Sequence, residues 1–209
     1  WSPDSPYLYT VETTVMIGNR ATDQVPTKLG IRWCEWDKEK GFFLNGKHLK
    51  LVGANRHQSW PFIGYAVPNR LHRADAVQMK KMGVNWVRLS HYPQDPDFID
   101  ALDELGLRAL AEGPTWMDIP SEAWMKNLET AFRSMIRRDR NHPSIIIWNC
   151  CVNHQGREPK LVKAATEEDP TRARGQDTVP CPMNFEHLKI SGNAALCIEH
   201  TGHTFGTFR

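Results

Sequence analysis

From about Leu49 onward the chain repeats one unit, a short apolar run followed by a helical stretch. LKLVGANRH leads into a helix ending near Gly83, NWVRLSHYP into one ending near Gly106, and LRALAEGP into one ending near Arg138, before IIIWNCCVNH. Parallel strands cannot be joined by a tight turn, so apolar strands alternating with helices require a parallel sheet covered on both faces. An open doubly wound sheet and a closed barrel both satisfy that rule. Polar residues gather after every strand, as the mouth of a barrel requires. No glycine-rich phosphate loop follows the first strand, which counts against a nucleotide-binding open sheet. The expected fold is therefore α/β, a (β/α)8 TIM barrel.

Local signals support the helices. Asp95 caps the second helix, Pro96 suits its first turn, Phe98, Ile99, Leu102 and Leu105 form its buried stripe, and Gly106 ends it. The third helix begins near Ser121, with Trp124, Leu128, Phe132, Met135 and Ile136 on one side. A fourth fits Glu158 to Glu168, ended by Asp169-Pro170. From Ala173 to Asn193 the chain is rich in Pro, Gly and polar residues and signals no element, until AALCIEH resumes a strand-like run. Before the repeating units, YLYTVETTVMI and KLGIRWCEWD read as strands, with Gly18-Asn19 as a turn after the first. Two strands cannot bury a face alone. Residues 1–37 are therefore expected to be the last strands of a β-domain, and residues 38–209 the barrel. Asn45-Gly46, inside FFLNGKHLKL, predicts a two-residue hairpin turn.

Composition narrows the function classes. Across 209 residues the formal net charge is +2, which offers no electrostatic case for nucleic acid or an anionic membrane as partner. No run of about eighteen apolar residues exists to span a bilayer. The five cysteines show neither zinc-finger nor redox-motif spacing. WSPDSPYLYT lacks the basic start and apolar run of a signal peptide and reads like the middle of a larger protein.

The strand ends carry the chemistry. Asn55, Arg56 and His57 follow the first; Ser90, His91 and Tyr92 the second; Glu112 the third; Asn153, His154 and Gln155 the fourth; and Glu199, His200 and His203 a later one. In a barrel these groups converge on one mouth. Each alone also has an ordinary structural reading: Arg56 as a salt-bridge partner, His91 as a satisfied interior histidine, Glu112 as a helix-cap acceptor.

GIRWCEWDKEKGFFLNGKHLKLVGANRHQ, NWVRLSHYP, DELGLRALAE, RRDRNHPSIIIW and CIEHTGH, taken in order, resemble glycoside hydrolase family 2, the β-galactosidase and β-glucuronidase family. The resemblance implies an immunoglobulin-like sandwich before a TIM barrel, hydrolysis of β-linked O-glycosides, a carbohydrate substrate and no cofactor. It also allows a homo-oligomer of the full-length protein. Retaining glycosidases use two carboxyl groups about 5–5.5 Å apart, one attacking the anomeric carbon and one exchanging a proton with the leaving oxygen and then with water. Glu199 matches the nucleophile. At the acid/base position, where the family places Asn–Glu, this chain has Asn153-His154.

Three readings of that corner stay open. His154 donates the proton, since imidazole titrates near neutrality; Glu112 or Glu158 supplies a carboxyl from nearby; or the site binds sugar without cleaving it. The resemblance further implies that Asn55, Arg56, His57, His91 and Asn153 recognise sugar hydroxyls or support the carboxylates. Glu112, His200 and His203 are candidates for the same pocket. Trp60 and Trp116 are candidates for stacking against the substrate, whereas Trp148 reads as barrel core. Cys150 and Cys151 read as small interior residues. A rival class is a metal-dependent hydrolase using His57, His91, His154, Glu199, His200 and His203, but E-H-x-x-H is not the helical zinc spacing H-E-x-x-H. Counting strands through Glu199 leaves no room for an eighth, so a fragment of a longer enzyme is expected. The particular sugar and the cellular location are not legible in these motifs.

Overall fold

The computed structural model describes residues 1–37, 39–115, 121–150 and 159–175. It opens with an antiparallel hairpin of β1 (Tyr9–Ile17) and β2 (Arg20–Leu29), followed by a three-stranded antiparallel sheet of β3 (Cys34–Asp37), β4 (Gly41–Leu44) and β5 (Lys47–His48). The second predicted strand is therefore two. Residues 28–37 split between the end of β2 and β3, and most of β2 lies upstream in RATDQVPTKL. Its polar residues and Pro26 hide it from a hydrophobic-pattern reading. Asn45 and Gly46 make the predicted turn, both with positive φ, at 52° and 73°.

The repeating units then appear in order: β6 (Gly53–Arg56), α1 (Asn69–Lys81), β7 (Trp86–Leu89), α2 (Pro96–Leu105), β8 (Arg108–Glu112), α3 (Glu122–Asp139), β9 (Ile145–Asn149), α4 (Pro159–Glu168) and β10 (Ala173–Gly175). All five strands pair in parallel, each with its successor in the chain. That order is the one a barrel uses, since a doubly wound sheet reverses direction at a switch point. β10 was not expected. Ala173, Arg174 and Gly175 carry no apolar pattern, and pairing with Ile147, Trp148 and Asn149 makes them a strand.

The helix termini follow the local chemistry. Asp95 accepts from the Asp97 amide, and Gly106 adopts φ 69°, a left-handed conformation that closes α2 onto the Leu102 carbonyl. Ser121 caps α3 by accepting from the Trp124 amide. Between sheet and helices lies the main core, built from Val87, Leu89, Ala109, Phe98, Leu102, Phe132 and Ile136 among others. Each of the Val, Leu, Ile and Phe side chains, fully buried, contributes about 1.5–3 kcal/mol. Trp148 is core, as expected, and its indole donates to Asp169 at 2.9 Å.

On the opposite face of the sheet, Trp86, Leu110, Ile146 and Ile147 pack against Phe42 and Leu44 of β4, Leu51 and Trp1. The small antiparallel sheet thus closes the end where the parallel strands begin. Arg32 fastens it there, donating to the carbonyls of Pro143 (3.0 Å) and Ile145 (2.7 Å). The opposite end, where the strands finish, is left for function.

Candidate functional site

Three consecutive strands deliver one polar cluster to their carboxy-terminal ends. Glu112 closes β8 and is completely buried. Arg88, from the middle of β7 and 1 % exposed, donates its Nε to Glu112 Oε1. Asn149, the last residue of β9, donates Nδ2 to the same oxygen at 2.9 Å. His91, just beyond β7, meets Oε2 from Nδ1 at 2.9 Å. The carboxylate acts as a hub that fixes an arginine, an amide and an imidazole from three strands.

Electrostatics decides the state of that hub. Complete burial works to raise the Glu112 pKa, but Arg88 and His91 outweigh it, so the carboxyl is held below its ordinary value and stays ionised. Because an ionised carboxylate only accepts, His91 Nδ1 is the donor in that contact. His57 stacks edge-on against His91 with ring centroids 5.1 Å apart. Burial, and then the neighbouring His91, lowers the pKa of His57, so that ring is neutral at pH 7.

Arg56 closes β6 but serves a different set of partners. Its Nε and Nη2 donate to Asp75 Oδ2 at 3.1 and 2.8 Å, Nη1 to Gln94 at 2.6 Å, and Nη2 to His72 Nδ1 at 2.8 Å. The guanidinium also lies over the Phe98 ring, 3.9 Å from its centroid. Arg56 is 4 % exposed, and these contacts tie β6 to α1 and to the loop after β7. Asp75, His72 and Gln94 were missed in the sequence because they belong to helices and loops with no motif. Asn55, one residue earlier, has a buried Oδ1 with no hydrogen-bond partner among the described residues. That carbonyl oxygen is a buried acceptor whose hydrogen-bonding need is not met among the described residues.

Of the predicted site residues, the structure therefore brings together His57, His91 and Glu112, with Asn55 and Arg56 on the adjoining strand. Asn153, His154, Glu199, His200, His203 and the alternative Glu158 lie outside the described residues, as do Cys151, Gln155 and Trp116. Trp60 is half-buried, and its indole points at Asp75 Oδ2, 3.4 Å away. Arg88 and Asn149 are additions. Arg88 reads as an apolar-strand interruption in NWVRLSHYP, which was a usable signal, since a buried arginine needs an anion.

A second His–carboxylate group sits at the other end of the strands. His142 Nδ1 donates to Asp103 Oδ2 at 2.6 Å, Ser144 donates its amide to Asp103 Oδ1 at 2.9 Å, and Asp100 lies nearby. Among the described residues, Asp100, Asp103 and His142 are the one group compact enough to hold a metal ion. It precedes β9 and is remote from His57 and His91, so it lends nothing to the metal-dependent reading of the mouth.

Comparison with known proteins fits this geometry. Residues 37–179 match the family model "Glycosyl hydrolases family 2, TIM barrel domain", and residues 1–32 match "Glycosyl hydrolases family 2". A β-galactosidase of Thermoanaerobacter pseudethanolicus is 44% identical over 154 residues, covering 73% of this chain and 21% of that protein. A β-glucuronidase of Bacteroides fragilis is 34% identical, covering 81% of this chain and 26% of that protein. The crystal structure of a Bacteroides uniformis β-glucuronidase superposes with a TM-score of 0.78 at 35% identity, over 85% of this chain and 24% of that one. The chain thus spans about a fifth to a quarter of the length of these relatives.

Proposed function

The chain belongs to glycosyl hydrolases family 2, and from that membership we propose that the protein to which it contributes acts on β-linked O-glycosides of the galactoside or glucuronide type. The observation that carries this reading is the Glu112 hub. An ionised, fully buried carboxylate orients His91 and Asn149 at the strand ends, beside an Asn55 oxygen that lacks a partner among the described residues. Such an arrangement suits a polyhydroxyl ligand, which supplies both donors and acceptors.

In the retaining reaction, the Glu199 carboxylate attacks the anomeric carbon while the glycosidic C–O bond breaks and the departing oxygen takes a proton. Protonated His154 gives that proton. Neutral His154 then takes one from water, whose oxygen attacks the anomeric carbon and releases Glu199. Glu112 does not suit the donor role, because it stays ionised and is sealed by Arg88. A histidine donor starts as a cation, which raises the energy of an oxocarbenium-like transition state unless Glu199 offsets it. The presence of His154 where a glutamate is expected therefore also favours a second reading, a site that binds the sugar and turns it over very slowly.

Incubation with a 2-deoxy-2-fluoro glycoside, followed by mass spectrometry, separates the two. A covalent sugar on Glu199 supports catalysis, and binding without an adduct supports the second reading. Replacing His154 by glutamate is expected to raise turnover by about 10²-fold or more, the usual worth of a matched acid/base. We also propose that residues 1–37 are the last strands of an immunoglobulin-like β-sandwich and residues 38–209 the TIM barrel, with β3 pairing to β4 across that boundary.

A further inference from the structure

The loop joining β6 to α1 folds back on itself at the mouth. Trp60 and Gly64 exchange backbone hydrogen bonds, each 2.9 Å, and form an isolated bridge. At its tip Phe62 adopts φ 69°, a left-handed conformation that an aromatic residue rarely takes, and its ring is fully exposed. Ile63 and Tyr65 flank it, 41 % and 65 % exposed. The loop is held from below, where the Trp60 indole reaches the same Asp75 oxygen that anchors Arg56.

A file of rings connects this tip to the hub. Tyr65 packs edge-on against Tyr92 at 5.8 Å, Tyr92 against His57 at 6.1 Å, and His57 against His91 at 5.1 Å. A backbone outlier that exposes an apolar ring, held by the strut that supports the site, is a feature the fold does not need for its own stability. We infer that Phe62 and Tyr65 form an aromatic rim that receives the leaving-group side of the substrate, and that it favours a flat aryl aglycone over a small alkyl one. This rests on the glycoside reading above. The rim is continuous with the pocket through Tyr92 and His57, so a ligand anchored by its sugar at His91 and Asn55 extends its aglycone along that file.

The test compares binding of phenyl and methyl β-D-galactopyranoside, and of the corresponding β-D-glucuronides, by calorimetry, which does not require turnover. The phenyl glycoside of the accepted sugar is expected to bind about fivefold more tightly than the methyl one, the usual worth of an aromatic contact. Phe62→Gly and Tyr65→Ala should each reduce that preference while leaving methyl glycoside affinity unchanged. Phe62→Gly also relieves the left-handed strain, so a higher melting temperature together with the lost preference is the expected pair of results. Equal affinity for phenyl and methyl glycosides, or a preference that survives both substitutions, overturns the rim. Binding of neither glycoside overturns the sugar site itself, and the rim with it.

Discussion

Among the described residues, the two His–carboxylate pairs in hydrogen-bond contact stand one at each end of the same parallel strands, and they do opposite work. At the mouth, Glu112 binds His91 while Arg88 and Asn149 crowd its other oxygen, and His57 and Asn55 stand alongside. At the floor, Asp103 binds His142 and the Ser144 amide, and the Asp103 carbonyl accepts the Trp1 indole at 2.7 Å. Both pairs are built from the same groups. The mouth pair is assembled from side chains of three strands, with Asn55 and His57 beside it, whereas the floor pair is spent on backbone and on the incoming amino-terminal segment. The comparison teaches that a buried imidazole–carboxylate contact is not itself a sign of function; what surrounds it decides.

The sharpest way to break this comparison is to remove each carboxylate in turn. Glu112→Gln removes the negative charge that pairs with the buried Arg88 Nε and is expected to cost about 3–5 kcal/mol in urea unfolding, together with loss of methyl glycoside binding. Asp103→Asn leaves one acceptor oxygen for two donors, His142 Nδ1 and the Ser144 amide, and is expected to cost about 2–3 kcal/mol while leaving glycoside affinity unchanged in the folded protein. If Asp103→Asn weakened binding as Glu112→Gln does, the division between the two ends would fail.

The pairs also answer pH in opposite directions. His142 is largely buried, which lowers its pKa, but Asp103 and other carboxylates outweigh this and raise it above the unfolded value of about 6.5. Its contribution is complete below about pH 6.5 and is lost as pH rises through the folded pKa. Glu112 is the reverse. Its pKa is depressed, so its contribution is complete above about pH 4.3 and is lost as pH falls through the folded value. Melting temperatures should show the alkaline decline flattened in His142→Gln and the acid decline flattened in Glu112→Gln. An alkaline decline untouched by His142→Gln would remove the floor pair from the account.

Much of this contrast is not legible in the amino-acid sequence. Asp95, Gly106, Ser121 and the Asn45-Gly46 turn were legible because each acts within a few residues of itself, where cap and turn chemistry is local. β10 was not, since Ala173, Arg174 and Gly175 become a strand only by pairing with β9. His91 and Glu112 were legible as strand-end residues, but their shared carboxylate oxygens, and the role of Arg88, depend on register between β7 and β8. Arg56 shows the limit most clearly. Its position in NRH pointed to the pocket, while its actual partners Asp75, His72 and Gln94 come from α1 and the loop after β7 and share no motif with it.

The smallest predicted effect concerns two atoms rather than two pairs. Asn55 Oδ1 at the mouth and Ser144 Oγ at the floor are both buried without a hydrogen-bond partner among the described residues. An orphaned acceptor costs desolvation, so removing either should change stability by no more than about 0.5 kcal/mol. Ligand binding tells them apart. Asn55→Ala should weaken methyl glycoside binding by about tenfold, the loss of one hydrogen bond to a sugar hydroxyl in a buried site, whereas Ser144→Ala should leave it unchanged. A stability loss of several kcal/mol in Asn55→Ala would mean that its oxygen serves the fold after all, and would remove it as an acceptor for a ligand.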